Sequence, residues 1–193
     1  MAEKKTDARV RYTKLMIRNS FVSLLKEKNL AKVTVTDICN LAGINRATFY
    51  AHYKDPFDLM ESLENELIEN VINILSSSDS IDERALSKIL PEILAFMKSE
   101  SDICLVFMSD LSATGFVRRC MKLIESRFVS AWADQYALNP ELGNELFLYG
   151  AMGSVGLLHK WLNSGCPQSP EYMAELIIKL FNQGASAFEI TQD

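Results

Sequence analysis

Five side chains in one short stretch share one kind of chemistry: Arg46, Thr48, Tyr50, His52 and Lys54. All can donate hydrogen bonds, and no carboxylate lies between the first and the last of them. An arginine presents a planar fork that fits the O6/N7 edge of guanine. Thr48 can reach a base edge or a thymine methyl, and Ala47 is small enough to let a helix come close. The donors of Tyr50, His52 and Lys54 suit phosphate oxygens, which position a protein without reading sequence. Thr34 and Thr36, a little earlier, can offer amide and hydroxyl donors to the same backbone. This is the chemistry of recognising a nucleic acid rather than of making or breaking bonds. Plainer readings stand beside it: Thr34 caps a helix whatever the function, His52 is a surface histidine, and Phe49 with Tyr53, four residues apart, is core.

The elements that must hold these groups are short helices. "TVTD" starts a capping box, with Thr34 accepting from the amide three residues on and Asp37 reaching back. Ile38, Cys39, Leu41 and Ala42 follow, and Gly43 stands where a C-cap glycine belongs. Asn45 caps a third helix over 46–53. Two short helices about a tight glycine turn make a helix-turn-helix, whose second helix can enter the DNA major groove. A helix over 8–28, with Leu15, Ile17, Phe21, Leu24 and Leu25 on its apolar face, precedes the pair. Asp55 as cap with Pro56 at the first position opens a long helix over 57–75. Helical periodicity continues over 82–98, 102–109, 116–136, 140–162 and 170–188, and no stretch alternates like a strand. The expected fold is all-α with about nine helices.

Charge divides the chain in the same place. Residues 1–54 carry eleven Lys/Arg against four Asp/Glu, whereas the rest carries nine against twenty-one. A basic head, 1–54, on an acidic helical body, 55–193, implies a polyanion partner for the head alone. The apolar stretches at 146–162 and 177–188 are broken by polar residues and are not read as membrane spans. The first residues are charged with no apolar core behind them, so a signal peptide is not expected and a cytoplasmic location is. Cys39, Cys104, Cys120 and Cys166 are far apart and form no CxxC pair, which argues for buried thiols rather than a metal site or disulfides. No cofactor is implied. An enzyme is not expected either: there is no GxSxG, HExxH or glycine-rich phosphate loop, and the two histidines are His52 and His159.

The stretch "TVTDICNLAGINRATFYAHYKDPFDLM" resembles the DNA-binding domain of the TetR/AcrR family. The matching residues are Thr34, Ile38, Cys39, Ala42, Gly43, Ile44, Asn45, Thr48, Phe49, Tyr50, Tyr53, Asp58 and Leu59. Cys39 replaces the family's usual alanine and Asn45 its serine cap. Pro56 stands where the family often has a phosphate-touching lysine, a role that falls to Lys54 in this chain. With the residues above, the resemblance implies a double-stranded-DNA contact set of Thr34, Thr36, Asn45, Arg46, Ala47, Thr48, Tyr50, His52 and Lys54.

The tail "LFLYGAMGSVGLLHKWLNSGCPQSPEYMAELIIKL" is similar to the C-terminal region of a TetR subgroup. In that family the last two helices of each subunit form a four-helix dimer interface, which implies a homodimer joined through Gly150, Gly153, Gly156, Leu157, Trp161, Ile177, Leu180 and Phe181. The plainer reading is core between two helices of one chain. A palindromic operator needs two recognition helices about one DNA turn apart. The resemblance also implies a small-effector cavity in the central helices, for which Phe96, Phe107, Met108, Trp132 and Tyr136 are the candidates, core packing being the alternative. The expectation is a TetR-type repressor, released by an effector whose identity the sequence does not give. The alternative is a TetR-like coactivator or adaptor acting through a protein partner, for which Pro56 is the local hint.

Overall fold

The structure is a computed structural model that describes residues 2–76, 83–109, 115–135 and 138–187. Among these residues it is all-helical: α1 Ala2–Glu27, a 3₁₀ turn Leu30–Lys32, α2 Val35–Ala42, α3 Arg46–Tyr50, α4 Pro56–Leu75, α5 Glu83–Ser99, α6 Ser101–Ser109, α7 Phe116–Gln135, α8 Pro140–Asn163 and α9 Pro170–Ser186. The chain forms two compact units, Met1–Glu66 and Leu67–Asp193. Their boundary falls inside α4, whereas the change in charge comes at Lys54.

In the first unit Ile17 and Phe21 of α1, Ile38 of α2, Phe49 of α3 and Leu59 of α4 are fully buried. The Phe49 ring lies 5.8 Å from that of Tyr53. Leu15 departs from the expected apolar face and is 47% exposed. It is two residues from Ile17, or about 200° around a helix of 3.6 residues per turn, so the two cannot share one face. Helix α1 also starts earlier than the periodicity indicates, because Ala, Glu and Lys at its beginning are good helix formers.

Helix α3 ends at Tyr50 rather than Tyr53. The Phe49 carbonyl accepts from both the His52 amide (2.9 Å) and the Tyr53 amide (3.0 Å), which tightens the chain into a turn. The Lys54 amide then donates to Asp58 Oδ2 at 2.8 Å. Asp55 accepts from the amides of Phe57 and Asp58 at 2.8 and 2.9 Å, which fixes the start of α4.

In the second unit α5 packs on α9, and α8 packs on both α7 and α9. Val71, Leu75, Ile89, Leu138, Phe147 and Ala185 form its buried cluster. Phe107 of α6 is fully buried and stacks on Phe116 of α7 with ring centres 5.2 Å apart.

Candidate nucleic-acid interface

The two helices of the opening stretch are fixed by local hydrogen bonds. Thr34 Oγ1 accepts from the Asp37 amide at 3.1 Å, and the Asp37 carboxylate accepts from the Thr34 amide at 3.0 Å. The same Asp37 oxygen accepts from the Thr34 hydroxyl and from Lys28 Nζ, both at 2.8 Å. Lys28 thus ties the end of the first helical segment to the start of α2, a link that the sequence pattern does not disclose. Gly43 ends α2 at φ 65°, a left-handed conformation that glycine adopts without a side-chain penalty. Asn45 Oδ1 then accepts from the Thr48 amide at 2.7 Å and caps α3.

The lysine ammonium beside Asp37, with the Thr34 donors, lowers the carboxyl pKa from 3.8 to about 2. A depressed folded-state pKa stabilises the fold above the unfolded value and loses that contribution as pH falls through the folded one. The stability difference between wild type and Asp37→Asn should therefore be full above about pH 4 and fade towards pH 2. Unfolding curves of the two proteins across that range check it. A difference that stays constant with pH would mean the carboxylate charge contributes nothing.

Around this scaffold the candidate DNA contacts sort clearly. Arg46, Ala47, Tyr50 and Lys54 are exposed, and Tyr50 shows 56% of its surface. Their neighbour Phe49 is fully buried, so α3 turns one side inward and presents the other. Arg46 Nη2 donates to the Thr36 hydroxyl, which brings two of the expected contacts together across the turn. That bond uses one of five guanidinium donors and leaves the rest of the fork available. Thr34, Thr36 and Asn45 are also exposed. Thr48 is half-buried and its hydroxyl donates to Asn45 Oδ1 at 3.0 Å, so its methyl and oxygen lone pairs remain for a base. His52 is half-buried, with its ring 6.3 Å from that of Tyr53. Cys39 is buried beneath this surface, and burial pushes its thiol pKa up, which keeps it neutral.

The residues expected at the dimer interface divide into two groups. Trp161 and Ile177 are buried within the single chain, and Trp161 Nε1 donates to the Gln168 carbonyl at 3.1 Å. Gly150 faces Phe181: a Cβ there would lie 2.6 Å from the ring. Phe181 is half-buried, its ring centre 6.4 Å from that of Phe147. Trp161 and Ile177 are thus enclosed by their own chain, whereas Gly150 and Phe181 are partly exposed. The helical pattern marks an apolar side correctly but does not say which helix covers it. Gly153, Gly156 and Leu180 are exposed, Leu157 is half-buried, and a Cβ at either glycine would meet nothing within 4 Å. Leu148, Tyr149 and Met152 of α8 and Tyr172 of α9 are also exposed, and Tyr149 shows 83% of its surface. Sequence reasoning misses these four, although Tyr149, Met152, Gly153 and Gly156 fall at the three-and-four spacing of one helix face.

The second unit also contains an apolar cavity of about 190 Å³. Phe96 and Met108, two of the expected lining residues, border it together with Leu67, Val71, Cys104, Cys120, Met121 and Phe147. Phe107 is not among the residues that border it; its ring stacks on Phe116. The Trp132 side chain and Tyr136 lie outside the described residues. No group of His, Cys, Asp and Glu suited to a metal ion occurs among the described residues. No described helix is long and apolar enough to cross a membrane.

Comparison with known proteins agrees with this arrangement. Residues 84–183, more than half of the chain, match the family model TetR_C_8, a transcriptional regulator C-terminal region. The chain is 26% identical over 186 residues to the uncharacterized HTH-type transcriptional regulator YxbF of Bacillus subtilis (strain 168), covering 93% of this chain and 47% of that protein. It thus spans about half the length of the curated relative it matches. Its fold is similar to that of a TetR transcriptional regulator from Streptococcus agalactiae 2603V, with TM-score 0.61, 21% identity and coverage of 93% and 98% of the two chains. It is also similar to that of NalD, the secondary repressor of the MexAB-OprM multidrug efflux pump in Pseudomonas aeruginosa, with TM-score 0.64, 19% identity and coverage of 91% and 97%. The matched C-terminal region, the all-helical fold and the capped helix-turn-helix meet in one assignment: the chain belongs to the TetR family of DNA-binding transcriptional regulators.

Proposed function

We propose that this regulator is a homodimeric repressor that binds a palindromic operator in the cytoplasm and is released by a small effector. It has no enzymatic role in this reading. The observation that carries it is the pair α2–α3, whose caps hold Arg46, Ala47 and Tyr50 outward on a buried Phe49 anchor. Residues 1–54 form the reading head, and residues 55–193 the regulatory and dimerising body. Arg46 reads a base, with Ala47 and Thr48 against the groove floor and Asn45 at the helix start. Thr34, Thr36, Tyr50, His52 and Lys54 hold phosphates. The exposed apolar residues of α8 and α9, with Gly153, Gly156, Leu157 and Leu180, support pairing with a second copy. Such pairing would set two recognition helices about one DNA turn apart.

The cavity supports the effector reading. Leu67, Val71 and Leu75, which border it, belong to the helix that opens at Pro56, two residues after Lys54. An effector that weakens operator binding must bind the DNA-bound form less tightly by the same factor.

The phosphate assignment is tested at Lys54, which is exposed. Lys54→Ala should weaken binding to all sequences alike and reduce the slope of log affinity against log salt by about one per subunit contact. Titrations at several salt concentrations measure this; an unaltered slope removes Lys54 from the phosphate contacts.

A further inference from the structure

The lining of the cavity restricts what it can hold. Five helices besides α4 contribute to it, through residues such as Phe96, Met108, Cys120, Phe147 and Phe181. No Asp, Glu, Lys, Arg, His, Asn or Gln borders it among the described residues. The one hydroxyl, that of Ser154, already donates to the Gly150 carbonyl of its own helix at 2.8 Å. The two thiols, Cys104 and Cys120, are weak hydrogen-bonding groups. A carboxylate, ammonium or sugar hydroxyl placed there would give up its water and find no strong partner in return.

Size narrows the class further. An apolar cavity of about 150 Å³ holds benzene. A cavity of about 190 Å³ therefore takes about six to nine non-hydrogen atoms. From the lining and the volume together, we infer that the effector site binds a neutral, compact hydrocarbon-like molecule, a single aromatic ring or a short branched chain, and excludes charged analogues of the same shape. This inference rests on the effector reading above for its regulatory consequence, but the choice of ligand class rests on the cavity alone.

The test is titration of the full chain with benzene, toluene and ethylbenzene, with benzoate as the charged counterpart of toluene, read by calorimetry. Affinity should rise about fourfold for each added methylene, the increment expected for burying one CH₂, and should stop rising once the cavity is full, as with butylbenzene. Benzoate should show no binding. Ala151→Leu, which adds bulk to the wall, should lower toluene affinity at least tenfold while leaving binding to non-specific DNA unchanged. Benzoate binding as tightly as toluene, no binding across the neutral series, or full toluene affinity in a folded Ala151→Leu protein would each overturn the inference. Should that variant fail to fold, the wild-type series and the benzoate comparison decide alone. A separate titration of operator DNA with and without toluene distinguishes the two layers. Neutral ligands that bind without altering operator affinity support the ligand class and overturn release by effector.

Discussion

Gly153→Glu should give a folded chain that no longer pairs and no longer holds its operator. The position is exposed on α8, and a Cβ there meets nothing within 4 Å. Within one chain a Cβ at this position therefore meets no neighbour, and replacing a helix-interior glycine by a good helix former favours the helix by about 0.5–1 kcal/mol. Against a second copy it places a charge among Tyr149, Met152 and their partners, where a buried charge without a counterion is strongly unfavourable. Losing the dimer removes one of two half-site contacts, so operator affinity should fall about a thousandfold or more, to the level of non-specific binding. Sedimentation reports the pairing and circular dichroism the fold. An intact dimer in this variant would move the interface away from this part of α8.

Arg46→Ala should cost about 1–3 kcal/mol of operator binding and relax preference at one base position in each half-site. The argument is geometric. Arg46 opens α3, stands exposed, and is steadied by the Thr36 hydroxyl at the start of α2. A guanidinium oriented in this way loses less freedom when it forms its paired bonds to guanine than a freely rotating one would. Selection of binding sites from randomised DNA by the variant and the wild type measures the effect. Unchanged base preference would assign Arg46 to holding the two helices together.

How much of this is legible in the sequence depends on the range of the interaction. Thr34 with Asp37, Gly43, Asn45 and Asp55 with Pro56 are readable because each acts on backbone groups within a few residues. The cap geometry follows from those side chains almost regardless of tertiary context. The exposed side of α3 follows from the same local order, since burying Phe49 leaves Arg46, Ala47 and Tyr50 on the outside. Placement in the body is less accessible. Periodicity marks Trp161 and Ile177 as apolar but cannot say that the Gln168 loop and the packed helices of the same chain enclose them. Phe96 and Phe107 look alike in sequence; only the position of Phe116 makes one border the cavity and the other fill the core. Lys28 with Asp37 is an ion pair between segments nine residues apart, too far for a cap rule and too near for a domain argument.

The most direct test of the central claim is binding of the purified protein to the DNA flanking its own gene, titrated over a range of salt with random DNA as competitor. The account predicts saturable binding that survives competitor, two copies of the chain per site, and an affinity that falls linearly on a log–log plot as salt rises. Weak binding of equal strength on both DNAs would contradict it and would point instead to a TetR-like adaptor that works through a protein partner.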